Sequence, residues 1–193
     1  REQAKEMRWP HSGSRAEMRS FFSHCKLRAS VQETTCPNWV SQAVIAEMDH
    51  LVPVKGRLPE DFLQFSHFMR VVDKLDRTSS PGYPYMRNHA TNEHLFGGVL
   101  NPNMQSCMAI YRVVTDRLKT GGPADPIRVF IKPEPISVQK YEQKRYRIIS
   151  SVSVVDQIID HMLFESFNDE IYSNWLRTPM KIGWTPCKGW WKY

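Results

Sequence analysis

Cationic side chains are concentrated in the segment from Arg128 to Arg147, where only Glu134 and Glu142 carry the opposite charge. Neighbouring cationic groups repel each other unless an anion lies between them, and arginine can bind two phosphate oxygens at once. The pattern therefore indicates a site for a polyphosphate or for the backbone of a nucleic acid. The basic residues of the segment are Arg128, Lys132, Lys140, Lys144, Arg145 and Arg147.

A second explanation for these charges stays open. Exposed sheet edges often carry charged residues because charge prevents edge-to-edge aggregation, and the charge pattern does not decide between the two. Glu134 would repel a phosphate, so we expect it to pair with one of the basic residues and to hold that residue in one rotamer.

Carboxylate, histidine and cysteine residues give only weak indications of a metal site. Asp156 and Asp160 would share one face of a predicted helix, but we interpret them as capping and solvated groups. His89 and His94 are interpreted as ordinary polar positions. The cysteines are too far apart for a zinc site or a disulfide framework, which predicts free thiols in a reducing compartment. They are Cys25, Cys36, Cys107 and Cys187.

Two short strands must position the cations. Residues 127–131 alternate apolar and polar side chains as a strand does, and residues 146–150 are a second candidate. Because successive side chains of a strand point to opposite faces, residues two apart share a face. The pairs expected to share a face are Arg128 with Lys132 and Arg145 with Arg147.

Apolar residues at helical spacing predict four helices. The most regular opens at Pro59 and carries an apolar stripe that we expect to pack in the core. Residues 1–33 are polar and basic with little period, which indicates a loosely packed lead-in. The predicted helices cover residues 36–51, a stretch from Pro59 to Leu75, residues 101–119 and a stretch that starts near Ser153. The third is expected to carry Met104, Met108, Tyr111, Val114 and Leu118 on one side.

The composition bounds the class of protein. The chain has 193 residues, a formal net charge of +6 and a pI of about 9.2, which favours anionic partners. No stretch approaches 18 apolar residues, so no membrane span is predicted. The sequence has no Gly-x4-Gly-Lys-Ser/Thr motif, which excludes a P-loop nucleotide site. It opens on Arg1 and ends on Tyr193, and we expect it to be a piece of a longer protein.

Three segments resemble one known family. Ile-Lys-Pro-Glu at 131–134, then Lys140, then residues 144–157 resemble motif F of positive-strand RNA virus polymerases, most closely the sobemovirus and luteovirus-like group. Thr-Ser-Ser-Pro-Gly-Tyr-Pro-Tyr at 78–85 resembles motif G, which precedes motif F in these enzymes. Without motif F nearby, that loop would be an ordinary Ser-Pro-Gly turn. Residues 181–190 resemble the stretch just before motif A.

The resemblance implies roles for individual residues. Arg147 matches the arginine that contacts the triphosphate of the incoming nucleotide, and Arg145 sits where a basic residue assists it. Lys132 and Glu134 match the opening Lys-x-Glu of motif F. The nucleotide-binding set is therefore Arg145, Arg147, Lys132 and Glu134. The RNA-binding set is Lys140, Lys144, Arg128, Thr78, Ser79, Ser80 and Gly82.

The resemblance also implies a fold and a function. We expect an α+β fold, mostly helical, that forms the fingers portion of a right-hand RNA polymerase and contains a short antiparallel strand pair. Residues 1–58 would be the lead-in with a short helix, and residues 59–193 the fingers region, truncated before palm motifs A, B and C. The whole protein would be an RNA-directed RNA polymerase, with template RNA, NTPs and its own palm and thumb as partners.

Catalysis by such enzymes requires metal ions. The sequence has no aspartate pair separated by four or five intervening residues and no Asp-Asp. Mg²⁺ or Mn²⁺ would therefore be held by aspartates outside this segment, no catalytic residue is assigned within it, and the chain alone is expected to be inactive. The resemblance places the enzyme in the cytoplasm of an infected host cell. A non-catalytic RNA-binding module, or a decayed viral insertion, is the alternative; the next residues of the reading frame would discriminate them.

Overall fold

The computed structural model of the chain describes residues 6–32, 34–51 and 57–176, and it has the expected α+β composition. Within these ranges, helices dominate and the strands form two-stranded antiparallel pairs. Contacts divide the chain into two compact units, which are described in turn. The first contains the described residues of Arg1–Thr34, Ser80–Ala90 and Ala124–Val154, and the second those of Thr35–Ser79, Thr91–Pro123 and Val155–Tyr193.

The first unit is built on the predicted strand pair. β4 (Arg128–Ile131) pairs antiparallel with β6 (Ile148–Ser151), with Arg128 opposite Ser151 and Ile131 opposite Ile148. The pair is confirmed, but its second strand starts two residues later than predicted. The prediction that Arg145 and Arg147 share a face of that strand is therefore wrong in this detail, because both precede β6.

The connection between these strands contains further structure. β5 (Ile136–Ser137) is followed by α6 (Val138–Glu142), and β5 pairs antiparallel with β1 (Met7–Arg8) near the start of the chain. Ile131, Ile136 and Tyr146 are buried together beneath this connection. Apolar side chains from β4, from β5 and from the loop before β6 therefore anchor the cationic segment in one small core.

The segment expected to be a loose lead-in contains a helix, α1 (Ser14–Ala29). Ala16 of α1 packs against the small core of Ile131, Ile136 and Tyr146. This helix was not predicted, although Met18, Phe21, Phe22 and Cys25 recur at helical spacing. Met18, Phe21 and Phe22 are exposed instead of buried.

The second unit is mainly helical. Phe68 and Val72 of α3, Cys107 and Val114 of α5, and Ile158 of α7 are among its fully buried side chains. The Tyr111 hydroxyl donates to the Leu63 carbonyl at 2.7 Å. The unit comprises α2 (Asn38–Leu51), α3 (Phe65–Lys74), α4 (Asn92–Phe96), β2 (Gly97–Gly98), β3 (Asn101–Pro102), α5 (Met104–Thr120) and α7 (Val154–Ser173) from Val155 onward.

Two helix starts differ from the prediction. α3 begins at Phe65 and not at Pro59, because Leu63 adopts a left-handed φ of 70° that a right-handed helix cannot contain. α5 begins only at Met104, where the Asn103 side chain accepts a hydrogen bond from the Ser106 N–H at 3.1 Å.

The face that α5 buries is not the side on which its predicted apolar residues lie. Its buried residues are Cys107, Ile110 and Val114, whereas Met104 and Met108 are exposed. Of the expected face, only Val114 is fully buried. Long, flexible methionine side chains can lie on an exposed surface, so their spacing alone did not identify the buried face.

Candidate nucleic-acid interface

A groove of about 230 Å³ lies in the first unit between one face of α1 and the loop that joins α6 to β6. α6 contributes Lys140, the loop contributes Lys144, Arg145 and Arg147, and all four cations are exposed. The structure thus brings together four of the six predicted cations. Arg145 and Arg147 line the same groove, as expected for side chains that share one anion.

Alternation in an extended segment explains why the two arginines lie together. Tyr146 between them is buried in the small core, while Arg145 and Arg147 are exposed. The Lys132 N–H donates to the Arg147 carbonyl at 2.8 Å, which extends the β4–β6 hydrogen bonding by one residue. Successive side chains therefore alternate between exposed and buried just before β6 and not within that strand.

A tight turn after α6 sets the position of Lys144. The Lys144 N–H donates to the Tyr141 carbonyl at 3.0 Å, and the Arg145 N–H donates to the Lys140 carbonyl at 2.9 Å. This pairing is the Schellman pattern, in which the residue after the helix cap is left-handed and is usually glycine. Lys144 occupies that position with φ 55°, at a cost of about 1 kcal/mol.

Glu134 pairs with two of the predicted nucleotide-binding residues. Its carboxylate lies 2.8 Å from Lys132 Nζ and 3.1 Å from Arg147 Nη1. The hydrogen bond from Lys132, followed by the positive charge of Arg147, holds the pKa of Glu134 below its usual range. The expectation that Glu134 pairs with a basic residue is confirmed. Arg147 nevertheless stays 63% exposed, so it is oriented without being enclosed.

Arg128 lies apart from these cations. Its guanidinium is 5.1 Å from the ring centre of Phe130, a cation–π contact. Both residues line an apolar pocket of about 560 Å³ together with Met18, Phe21 and Phe22 of α1. Arg128 is not among the residues that line the groove, and its RNA-binding role stays a prediction.

Thr78 and Ser79, in the second unit, hold a carboxylate. The Thr78 hydroxyl donates to Asp76 at 2.7 Å and the Ser79 hydroxyl at 2.6 Å, and the Thr78 N–H adds a bond of 2.9 Å. These hydrogen bonds, that of Ser79 first, lower the pKa of Asp76 to about 2. The hydroxyl protons expected to contact phosphate are thus engaged within the chain.

Gly82 is needed for packing in the first unit. Its φ is 69°, and a Cβ at this position would lie 2.5 Å from the Val152 carbonyl oxygen and 3.0 Å from Ser153 Cα. The Gly82 N–H donates to the Ser80 hydroxyl at 3.4 Å. The missing side chain of Gly82 therefore allows a close approach to this chain's own backbone.

The candidate metal pair of aspartates is divided between two environments. Asp156 pairs with Arg117 at 2.9 Å, and both side chains are largely buried, at 15% and 17% exposed. The prediction of a solvated side chain is therefore wrong for Asp156. It is confirmed for Asp160, which is exposed. Ser153, the expected cap, donates its hydroxyl to Asp125 at 2.7 Å. Among the described residues there is no group of three or more metal-binding side chains.

Sequence reasoning missed the α1 wall of the groove. Ser20, Ser23 and His24 line it, and Ser20 is only 2% exposed. The Ser20 hydroxyl lies 3.5 Å from the Lys144 carbonyl, at the limit of a hydrogen bond. Small residues at helical spacing, Ala16 and Ser20, were the signal in the sequence. The segment at 181–190 and Cys187 lie outside the described residues.

Comparison with known proteins shows which sequences this chain resembles. A family profile described as viral RNA-directed RNA-polymerase matches residues 18–189. The replicase polyprotein P2AB of Southern cowpea mosaic virus is 29% identical over 92% of this chain and 20% of its own length. The protein P1-P2 of Pea enation mosaic virus-1 is 30% identical over 91% of this chain and 16% of its own length.

A third relative gives the same result. The replicase polyprotein P2AB of Cocksfoot mottle virus is 29% identical over 93% of this chain and 21% of its own length. The chain therefore spans about a fifth of the length of the curated relatives it matches. The matched region includes α1 from Met18 onward as well as the whole cationic segment.

Proposed function

This chain belongs to the viral RNA-directed RNA polymerases, and from that premise we propose that it forms the part that holds nucleotide and template. The whole protein would replicate an RNA genome by template-directed nucleotidyl transfer. The observation that carries the proposal is the groove in which Lys140, Lys144, Arg145 and Arg147 line one wall. Like charges brought this close favour a bound polyphosphate.

The nucleotide-binding residues would act by neutralising charge. In nucleotidyl transfer the RNA 3′-OH attacks the α-phosphate of an NTP, and positioning and electrostatic stabilisation supply most of the catalysis. Arg147, assisted by Arg145, would bind the triphosphate oxygens. Glu134 would orient Arg147 and Lys132 beforehand, which lowers the conformational cost of binding.

The template-binding residues would act without reading sequence. Lys140 and Lys144 would contact the RNA backbone in the groove, and Arg128 would add positive charge from β4. The loop from Thr78 to Gly82 would line the template path. Because the hydroxyls of Thr78 and Ser79 bind Asp76, they would fix the shape of this loop rather than donate to phosphate.

Other parts of the machinery would come from the rest of the protein. Polymerases of this family use divalent metal ions. The described residues do not fit such a site, so Mg²⁺ or Mn²⁺ would be held by aspartates outside them, in the palm. No helix in the described part of the chain combines the length and apolar character that a membrane span requires. The enzyme would work in the cytoplasm of the infected cell, and the chain alone would not polymerise.

The test is Arg147→Ala in the complete enzyme. We expect KM to rise about 10- to 100-fold for each of the four NTPs, because one charge-assisted phosphate contact is lost. Arg112→Ala is the control, since Arg112 is an exposed arginine that does not line the groove. An effect confined to one base would contradict a role at the triphosphate.

A further inference from the structure

A second pocket, of about 420 Å³, lies at the start of α1 and shares Lys144 and Tyr146 with the groove. Arg15 and Arg19 line it, and both are exposed. No carboxylate is among the described residues that line it. Three positive charges therefore surround this cavity, and two of them, Arg15 and Arg19, have no role in the family resemblance or in the proposed function.

The geometry of α1 explains why the two arginines face this cavity. Ala16 and Ser20, four residues apart, seat the helix on the small core and on the Lys144 carbonyl. Arg15 directly precedes Ala16 in the sequence, and Arg19 directly precedes Ser20. The two arginines therefore lie on the helix face next to the one that Ala16 and Ser20 share. Within the described part of the chain, neither arginine has an ion-pair partner. Like charges four residues apart are mutually destabilising unless an anion binds them.

Lys144 provides an independent observation. Glycine is the residue that usually occupies its left-handed position, because a side chain there is strained. A lysine at such a position carries a strain that glycine would avoid, which points to a role of its side chain other than stability. Since Lys144 lines both cavities, a single strained residue joins them.

We propose that Arg15, Arg19 and Lys144 form a second phosphate subsite, which binds the backbone of a single RNA strand that continues along α1 from the groove. The proposal rests on the proposed function for its ligand, RNA. The α1 residues that line the two cavities extend from Arg15 to Leu27, about 18 Å along the helix axis. That length exceeds a single triphosphate group and suits consecutive phosphates of one strand.

The test measures binding of a fluorescent oligouridylate to the 193-residue chain at several salt concentrations. R15Q/R19Q should raise Kd about tenfold and reduce the slope of log K against log salt by about 1.4, since each single-strand phosphate contact contributes about 0.7. The matched control is K26Q/R28Q, which removes two charges from the same helix outside the pocket. Equal losses in the two variants would overturn the subsite.

Lys144→Gly distinguishes the role of the lysine side chain in RNA binding from its effect on stability. It should reduce the slope by about 0.7 while the midpoint of thermal unfolding stays unchanged or rises, because glycine relieves the left-handed strain. Lys144→Gln keeps a side chain at the left-handed position but removes its charge, and it should lower the slope equally. Unchanged RNA binding in both variants would show that the lysine side chain is not used and would overturn the proposal.

Inorganic triphosphate distinguishes the two possible sources of phosphate. R15Q/R19Q should leave its affinity unchanged; an equal loss for triphosphate and RNA would overturn the assignment to an RNA strand. The outcome is separable from that of the proposed function. If Arg147→Ala raises KM for NTPs but R15Q/R19Q leaves RNA binding intact, only the second subsite fails. The reverse pattern would contradict only the triphosphate role of Arg147.

Discussion

Arg147 places its guanidinium nitrogen 3.1 Å from the carboxylate of Glu134 while most of its side chain stays exposed. The same carboxylate accepts from Lys132 at 2.8 Å. One anion thus orients two cations without removing either from solvent. The orientation of Lys132 and Arg147 therefore explains an acidic residue beside the proposed phosphate site, although Glu134 would also repel the ligand.

Glu134→Gln tests which of these two effects is larger. We expect KM for all NTPs to rise about two- to fivefold in the complete enzyme, because exposed ion pairs contribute little each. Steady-state kinetics at saturating template measure this KM. Glu142→Gln, in α6 of the same connection between β4 and β6, is the control. A fall in KM would mean that repulsion by Glu134 outweighs the orientation it provides.

Gly82→Ala should destabilise the chain by about 3 kcal/mol, because its Cβ would clash with the Val152 carbonyl in addition to the left-handed strain. Gly121→Ala is a matched control. Gly121 has nearly the same φ, 68°, but nothing lies within 4 Å of its added Cβ, so about 1 kcal/mol is expected. Urea denaturation measures both, and equal losses would mean that the clash is relieved by movement of the backbone.

Asp156→Asn should destabilise the chain by about 2 kcal/mol, because it removes the negative partner of the largely buried Arg117. Asp160→Asn, in the same helix but exposed, should change stability by less than about 0.5 kcal/mol. Chemical denaturation compares them. If added Mg²⁺ stabilised the wild type but neither variant, Asp156 and Asp160 would be a metal site after all.

The pH dependence of stability should report the Asp76 turn. The folded pKa of about 2 lies below the ordinary value of 3.8, so the ionised carboxylate stabilises the fold above pH 3.8. That contribution is lost as pH falls toward 2. The difference in unfolding midpoint between wild type and Asp76→Asn should therefore be constant from pH 7 to 5, shrink as pH falls through 3.8, and disappear only below the folded pKa of about 2. A difference that does not shrink between pH 5 and 2 would indicate another cause.

The strand pair and its cations could be predicted because their signals are local. β4 alternates along its own sequence, and Glu134 lies close in the chain to the residues it binds. The bonds from Thr78 and Ser79 to Asp76 are local too, but a hydroxyl can donate to a carboxylate or to phosphate, and the sequence alone does not choose between them.

The α1 wall could not be predicted because it depends on contacts between distant residues. Ser20 meets Lys144 across 124 positions, and a single buried serine carries no local sign of its distant partner. Gly82 is similar: the residues it would clash with, Val152 and Ser153, are far along the chain. The start of α3 was misplaced because the left-handed Leu63 has no sequence signal, unlike a glycine.

The most direct test of the account is the salt dependence of single-stranded RNA binding by this chain, measured with two unrelated sequences. If Lys140 and Lys144 hold phosphates of the RNA backbone, log K should fall linearly with log salt, with a slope of about −1.4 or steeper for both sequences. K140Q/K144Q should reduce that slope by about 1.4. Binding that does not depend on salt, or a slope that K140Q/K144Q leaves unchanged, would contradict the claim that these two lysines hold the phosphates of an RNA strand.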